Sequence, residues 1–324
     1  MNESYRKRPT IDEIFSAGKP SKEEMDRFLF TPLKRKELLK LLERAQKAER
    51  EWRKSGDKDA EQVAFECYLE YRNMLEEKRN SSLYVTTPEG REISFDIKEQ
   101  LQYWSSFYAR NNIDWVSLPE TISLTEEQIT KMEKLMSQGF DKMLIIPENL
   151  VGEPNITYGP DGKPTKITNE KYEKLHQLMS AEYNPTLMGD NYDNDGKFQG
   201  SQDKTTNLCI ILTKDIQNLE DDPILNQTLN KSMKELKEDE LKTFTGLSES
   251  AYLVYQREYF ERTGKHLDEK GWTWLPESSR PLSGRVPSAG WLPVGGRLRF
   301  YFYAPGRRYG FLGCRLAGSF PANI

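Results

Sequence analysis

The residues best suited to do chemistry in this chain are arginines and tyrosines gathered near one end. Residues 278–324 hold seven arginines (Arg280, Arg285, Arg297, Arg299, Arg307, Arg308 and Arg315) and no Asp, Glu or Lys. The run Leu298-Arg299-Phe300-Tyr301-Phe302-Tyr303 alternates at the period of a β-strand. Leu298, Phe300 and Phe302 therefore share one face, and Arg299, Tyr301 and Tyr303 share the other. The first face suits a core. The second carries the side chains that dominate binding hot spots, because Arg and Tyr offer a large contact area for few freely rotating bonds. The chemistry indicated is recognition rather than bond making.

Other reactive groups are sparse. His176 and His266 are the two histidines, and neither has metal-ligand or triad spacing; His176, in a helical context, reads as a surface or packing residue. Cys67, Cys209 and Cys314 are odd in number and far apart. They form neither a disulfide framework nor a ligand cluster, and they fit a reducing cytoplasm. Asn191-Tyr-Asp193-Asn-Asp195-Gly196 partly matches a calcium loop, but Asn stands at the first position and Gln202 at the twelfth, where a bidentate carboxylate is needed. An ordinary solvated loop is the expected reading, with no metal and no cofactor.

Charge is unevenly placed. The chain carries a net charge of −4, and 278–324 carries +7, so the stretch 1–277 carries −11. Lys, Glu, Gln and Met appear 82 times in 1–277 and never in 278–324. Strands and buried segments disfavour these types, yet seven arginines argue against burial as the whole cause. Codons ending in a pyrimidine cannot encode Lys, Glu, Gln, Met or Trp, which supplies a second cause. No stretch approaches the roughly 18 apolar residues of a membrane span, and no signal-peptide core follows the first residues, so neither a membrane nor export is expected.

Several elements must position the tail. Ser21-Lys22-Glu23-Glu24 reads as a capping box, and Thr31-Pro32 starts a longer helix that runs to about Gly56. Leu33, Leu38, Leu39, Leu42, Ala45 and Trp52 recur along it at helical spacing, and Val63, Ala64, Cys67, Tyr71 and Met74 continue the pattern in a partner helix after Ser55-Gly56-Asp57. Residues 1–80 thus form a helical N-terminal region. From residue 81 the period changes: a hairpin flanks Pro88-Glu89-Gly90, helices are expected at 98–110, 126–138, 168–182 and 249–263, and strands at 142–147, 207–213 and in the tail. The loop 186–206 is rich in Gly, Asn, Asp and Ser. The fold class is α+β, without βαβ alternation.

The stretch SGRVPSAGWLPVGGRLRFYFYAPGRRYGFLGCRLAGSF resembles the C-terminal variable region of proteins diversified by diversity-generating retroelements. Those proteins resemble the formylglycine-generating-enzyme branch of the C-type lectin fold, and their chains end in a strand similar to Leu312-Gly313-Cys314-Arg315-Leu316-Ala317. Adenine mutagenesis of AAY codons in that family leaves pyrimidine-ending codons, in keeping with the missing residue types. The resemblance covers about 272–320 well, 140–271 moderately, and the helical N-terminus not at all. It implies a C-type-lectin-like domain over 81–324 with a variable region at about 285–319. Trp291, Pro293, Leu298, Pro305, Gly313 and Arg315 would be scaffold. Ser288, Gly290, Leu292, Arg299, Tyr301, Tyr303, Arg307, Arg308, Tyr309 and Phe311 would be an exchangeable, exposed, ligand-binding cluster.

The function expected on this basis is non-enzymatic binding of a protein or other macromolecular ligand. Two alternatives stay open. One is an enzyme related to the formylglycine-generating or sulfur-oxidising members of the fold, although the nearby cysteine pair of the catalytic branch is missing here. The other is nucleic-acid binding through the Arg and Tyr tail, which the −11 charge of the stretch 1–277 disfavours.

Overall fold

The computed structural model describes residues 32–152, 155–162, 164–180, 202–203, 208–279 and 285–322. The segment carrying the Ser21 capping box, and nearly all of the candidate calcium loop, lie outside these residues. The described residues form two compact units.

The first unit contains α1 (Pro32–Ser55), α2 (Lys58–Ser81), β1 (Ser82–Thr86) and residues 94–96. Gly56 sits in the left-handed region at φ +70°, where a side chain would be strained, and its N–H closes onto Trp52 O. The Asp57 carboxylate then accepts from Asp59 N and caps α2. This is the expected helical pair, packed through Ala45, Cys67 and Tyr68 with Leu42 and Val63 beside them. The Tyr68 hydroxyl donates to Glu49 across the pair.

The second unit, residues 87–93 and 97–322, is an α+β assembly. After β2 (Glu92–Asp96), α3 (Ile97–Arg110) buries Ile97, Leu101, Trp104, Phe107 and Tyr108 on one stripe. It is pinned to β3 (Lys142–Ile146) by Trp104 Nε1 donating to Met143 O and the Tyr108 hydroxyl donating to Ile145 O. Between them, α4 (Glu126–Ser137) begins with a full Thr125–Gln128 capping box and ends before Gly139 at φ +83°, as its sequence signals require. The small hairpin β4 (Asn155–Tyr158) and β5 (Pro164–Thr168) leads to α5 (Glu170–Ser180).

Gln202 and Asp203, expected in a loop, instead form a short strand β6. β7 (Cys209–Thr213) is buried at every position, in keeping with its unbroken apolar run. Two short helices, α6 (Pro223–Asn226) and α7 (Met233–Glu238), precede α8 (Glu249–Thr263), which starts at Ser248 and is stopped by left-handed Gly264. α8 touches both β3 and the tail strand Val286–Leu292.

The chain finishes with β8 (Trp272–Trp274), β9 (Ser278–Ser279), β10 (Val286–Leu292), β11 (Arg297–Tyr303), β12 (Leu312–Cys314) and β13 (Gly318–Pro321). One sheet has the order β11-β10-β8-β12, in which β12 lies parallel to β8 and the other pairs are antiparallel. A second has the order β13-β7-β3 and is antiparallel throughout. β6 pairs with β9. The tail thus supplies strands to both sheets, and Trp272, Trp274, Trp291 and Leu312 are buried. Gly318–Pro321 pair with β7, and Pro321, the first of the four final residues for which the sequence offers no reading, is the end of that strand.

Candidate functional site

The candidate site is the outer face of β11 and the loop that follows it. Along β11, Leu298, Phe300 and Phe302 are buried while Arg297, Arg299, Tyr301 and Tyr303 are half-buried, which is the alternation read from sequence. The inner face anchors the strand: Phe300 packs edge-on against Tyr252 of α8 and His176 of α5. The outer face forms a connected run. Arg299 Nη1 donates to the Tyr301 hydroxyl at 2.9 Å, and the Tyr301 ring lies 5.1 Å from Trp272 and 6.1 Å from Tyr303. Tyr303 meets Tyr309 at 5.0 Å, and Tyr309 stacks on Phe311 at 5.5 Å. Phe311 is 46% exposed at the end of the run.

Residues 304–311 are shaped by a turn at Ala304-Pro305-Gly306, where Arg307 N donates to Ala304 O. Arg307 and Arg308 are exposed there, and Arg308 pairs with Glu235 at the head of α7. Lys234 N donates to Pro305 O, so α7 also holds the turn. Leu292, half-buried, faces Arg297 across the hairpin.

Of the ten residues expected to be exposed, Arg307, Arg308 and Phe311 are exposed, Leu292, Arg299, Tyr301, Tyr303 and Tyr309 are half-buried, and Ser288 and Gly290 are buried. Ser288 and Gly290 share the outer face by register, opposite Tyr301 and Arg299, but both are buried. The cause is that β10 is an interior strand, covered from its β8 side. Ser288 lies between Tyr301 and Trp274. A Cβ at Gly290 would meet Gly271 O at 2.7 Å and the Trp272 ring at 3.0 Å. Alternation fixes the face a residue points to, not whether a neighbouring strand's side chain covers it.

Beneath this face the scaffold is buried and closely paired. Arg315 is fully buried and grips Asp268 with Nε and Nη2 at 3.1 and 2.8 Å, while Nη1 and Nη2 also reach Ile216 O and Gln217 O. Burial pushes the Asp268 carboxyl above its ordinary range, and the Arg315 guanidinium pulls it back. Trp291 stacks on His266 at 3.4 Å, with Phe260 on the other side of the imidazole. This burial lowers the His266 pKa to about 4. Leu298 and Gly313 are buried, and a Cβ at Gly313 would lie 2.7 Å from Thr228 Oγ1. Pro293 is exposed and acts through the turn, where its carbonyl accepts from Gly296 N.

A second polar group was not legible in the sequence. His176 Nε2 lies 2.8 Å from Glu249 Oε1, both fully buried, so of the two readings, surface or packing, His176 takes the second. Next to Glu249, Asp203 accepts from the hydroxyls of Tyr172, Ser250 and Ser278. Burial raises the Asp203 carboxyl and the Ser250 and Ser278 hydrogen bonds oppose that rise. The cluster ties β6 and β9 to the head of α8. Its members come from separate stretches of chain, so no spacing pattern could reveal them.

Among the described residues no group of His, Cys, Asp and Glu is arranged to hold a metal ion. Cys67, Cys209 and Cys314 are buried free thiols, and burial raises each thiol, with a neighbouring Ser319 hydroxyl opposing it at Cys209. No described helix is long and apolar enough to cross a membrane. Comparison with protein-family models, with curated proteins and with solved structures finds no match to this chain.

Proposed function

We propose that this protein is a non-enzymatic binder of a protein ligand, a variable protein of the diversity-generating-retroelement type built on a C-type-lectin-like domain of the formylglycine-generating-enzyme branch. The observation that carries the reading is the connected run Arg299, Tyr301, Tyr303, Tyr309 and Phe311 on the outer face of a strand whose inner face is locked in the core. Side chains held on fixed backbone lose little ordering entropy on binding, which suits a display surface. The exchangeable set is then Leu292, Arg299, Tyr301, Tyr303, Arg307, Arg308, Tyr309 and Phe311, with Ser288 and Gly290 as scaffold.

Two experiments test this. Peptides selected from a displayed random library by the full chain should lose about 1–4 kcal/mol of affinity in the double variant Tyr301→Ser/Tyr303→Ser if either ring is a hot spot. Because both rings are half-buried and touch neighbouring aromatics, the same variant should cost about 1–2 kcal/mol of stability per site, less than a core deletion. Unchanged affinity for every selected peptide would refute the binding surface. In the genome, a near-copy of the coding stretch for 285–319, differing mainly at adenines and lying beside a reverse-transcriptase gene, is expected. Flanking DNA with neither would refute the retroelement origin.

A further inference from the structure

Two arginines on the outer face of β11 stand apart from the others. Arg297 and Arg299 are two residues apart on the same face, half-buried, and each has a buried Nε with no hydrogen-bond acceptor among the described residues. Arg299 donates through Nη1 to the Tyr301 hydroxyl, which leaves Nε, one arm of the guanidinium's side-on fork, without an acceptor. Arg315 and Arg308, by contrast, have carboxylate partners in Asp268 and Glu235. No ion pair of that kind is made by Arg297 or Arg299 among the described residues, and 278–324 itself supplies no Asp or Glu. A guanidinium fork matches a carboxylate bidentately, and a buried charged donor without an acceptor is disfavoured until one arrives.

We propose that Arg297 and Arg299 form the anion-accepting pole of the tail surface, and that the partner is a protein presenting an acidic segment. Its Asp or Glu carboxylates seat on the two guanidinium groups, and its apolar side chains lie along Tyr301, Tyr303, Tyr309 and Phe311. This rests on the reading of the tail as a docking surface. Nε is covered in the free protein, so seating a carboxylate on that edge requires a change of rotamer nearer the backbone. Nucleic acid fits less well. Successive rings of the outer run contact one another at 5.0–6.1 Å, which leaves no gap for a base. The −11 charge of the stretch 1–277 also opposes a polyanion.

The test uses the full chain and three probes: a short end-capped peptide of glutamates and phenylalanines, its glutamine counterpart, and oligothymidylate. Tighter binding of the glutamate peptide, by about ten-fold and falling with salt, is expected. Arg297→Gln and Arg299→Gln should each remove most of that preference. Should either variant melt early, Arg299→Lys, which keeps the charge and loses the fork, should still weaken the glutamate peptide selectively. If both peptides bind equally and both are lost in Tyr301→Ser/Tyr303→Ser, the display reading stands and the anionic pole is wrong. Preference for oligothymidylate, or no binding of the glutamate peptide, also overturns the proposal. The display reading itself fails separately, if the double Tyr variant leaves the peptides selected from the random library unaffected.

Discussion

Replacing Gly290 by alanine is expected to destabilise the second unit, although alanine is smaller than any side chain now on the outer face of β11. Gly290 lies in an interior strand opposite Arg299. The added methyl would come within 2.7 Å of Gly271 O and 3.0 and 3.2 Å of two Trp272 ring carbons. A carbonyl oxygen can move only with its backbone, and the Trp272 ring is itself buried. Overpacking of this kind costs about 1–3 kcal/mol. The smaller conformational entropy of the unfolded alanine chain offsets about 0.4–1 kcal/mol, so a net loss of about 1–2 kcal/mol is expected. For a unit of this size that lowers the melting midpoint by about 2–8 °C. Urea and thermal melts of the full chain, followed by near-ultraviolet circular dichroism to report the buried tryptophans, measure it. A midpoint unchanged or raised would mean that Gly290 is exchangeable and that β10 is not held against Trp272 as described.

Three further outcomes follow from the scaffold. Trp291→Ala should cost about 3–5 kcal/mol in a urea titration, as a core deletion that also unstacks His266. Asp268→Asn leaves the buried Arg315 guanidinium without its counter-charge and should cost about 3–5 kcal/mol, whereas a change below 1 kcal/mol would mean the pair is not sealed from water. His266 has its pKa lowered from about 6.5 to about 4, so the unfolded chain binds the extra proton first as pH falls. The stabilisation is complete above pH 6.5 and lost as pH falls toward 4; with half-exposure discounted it amounts to about 1–2 kcal/mol. His266→Phe, which keeps a ring in the stack, should flatten the urea midpoint against pH over that window, and an unaltered slope would assign it to other groups.

Much of the fold could be read locally. The Thr125–Gln128 capping box, the left-handed glycines after α1, α4 and α8, and the apolar run of β7 each state their structure within a few residues. The β11 alternation likewise gave the two faces of the site. What could not be read depends on distant partners. The strand pair β6 and β9 exists because Asp203 accepts hydroxyls from Ser250 and Ser278, and His176 is buried because Glu249 meets it from another helix. Ser288 and Gly290 were misread for the same reason, since only the β8 neighbour and its tryptophans decide that they are covered.

The placement of β13 has a consequence for how the molecule assembles. β7 is the middle strand of its sheet and receives β13 from far along the chain; the Thr213 hydroxyl donates to Leu316 O across 103 residues. Loop closure on that scale must precede the contacts that reward it, which slows folding relative to a fold made of neighbouring hairpins. Until β13 docks, one edge of the Cys-Ile-Ile-Leu run of β7 stays open, and an unpaired apolar edge is where chains associate wrongly. The stretch between β10 and β13 therefore sits inside the step that closes the sheet. Its outer side chains can vary without touching that step, but any change that delays the arrival of Gly318–Pro321 lengthens the lifetime of an aggregation-prone intermediate.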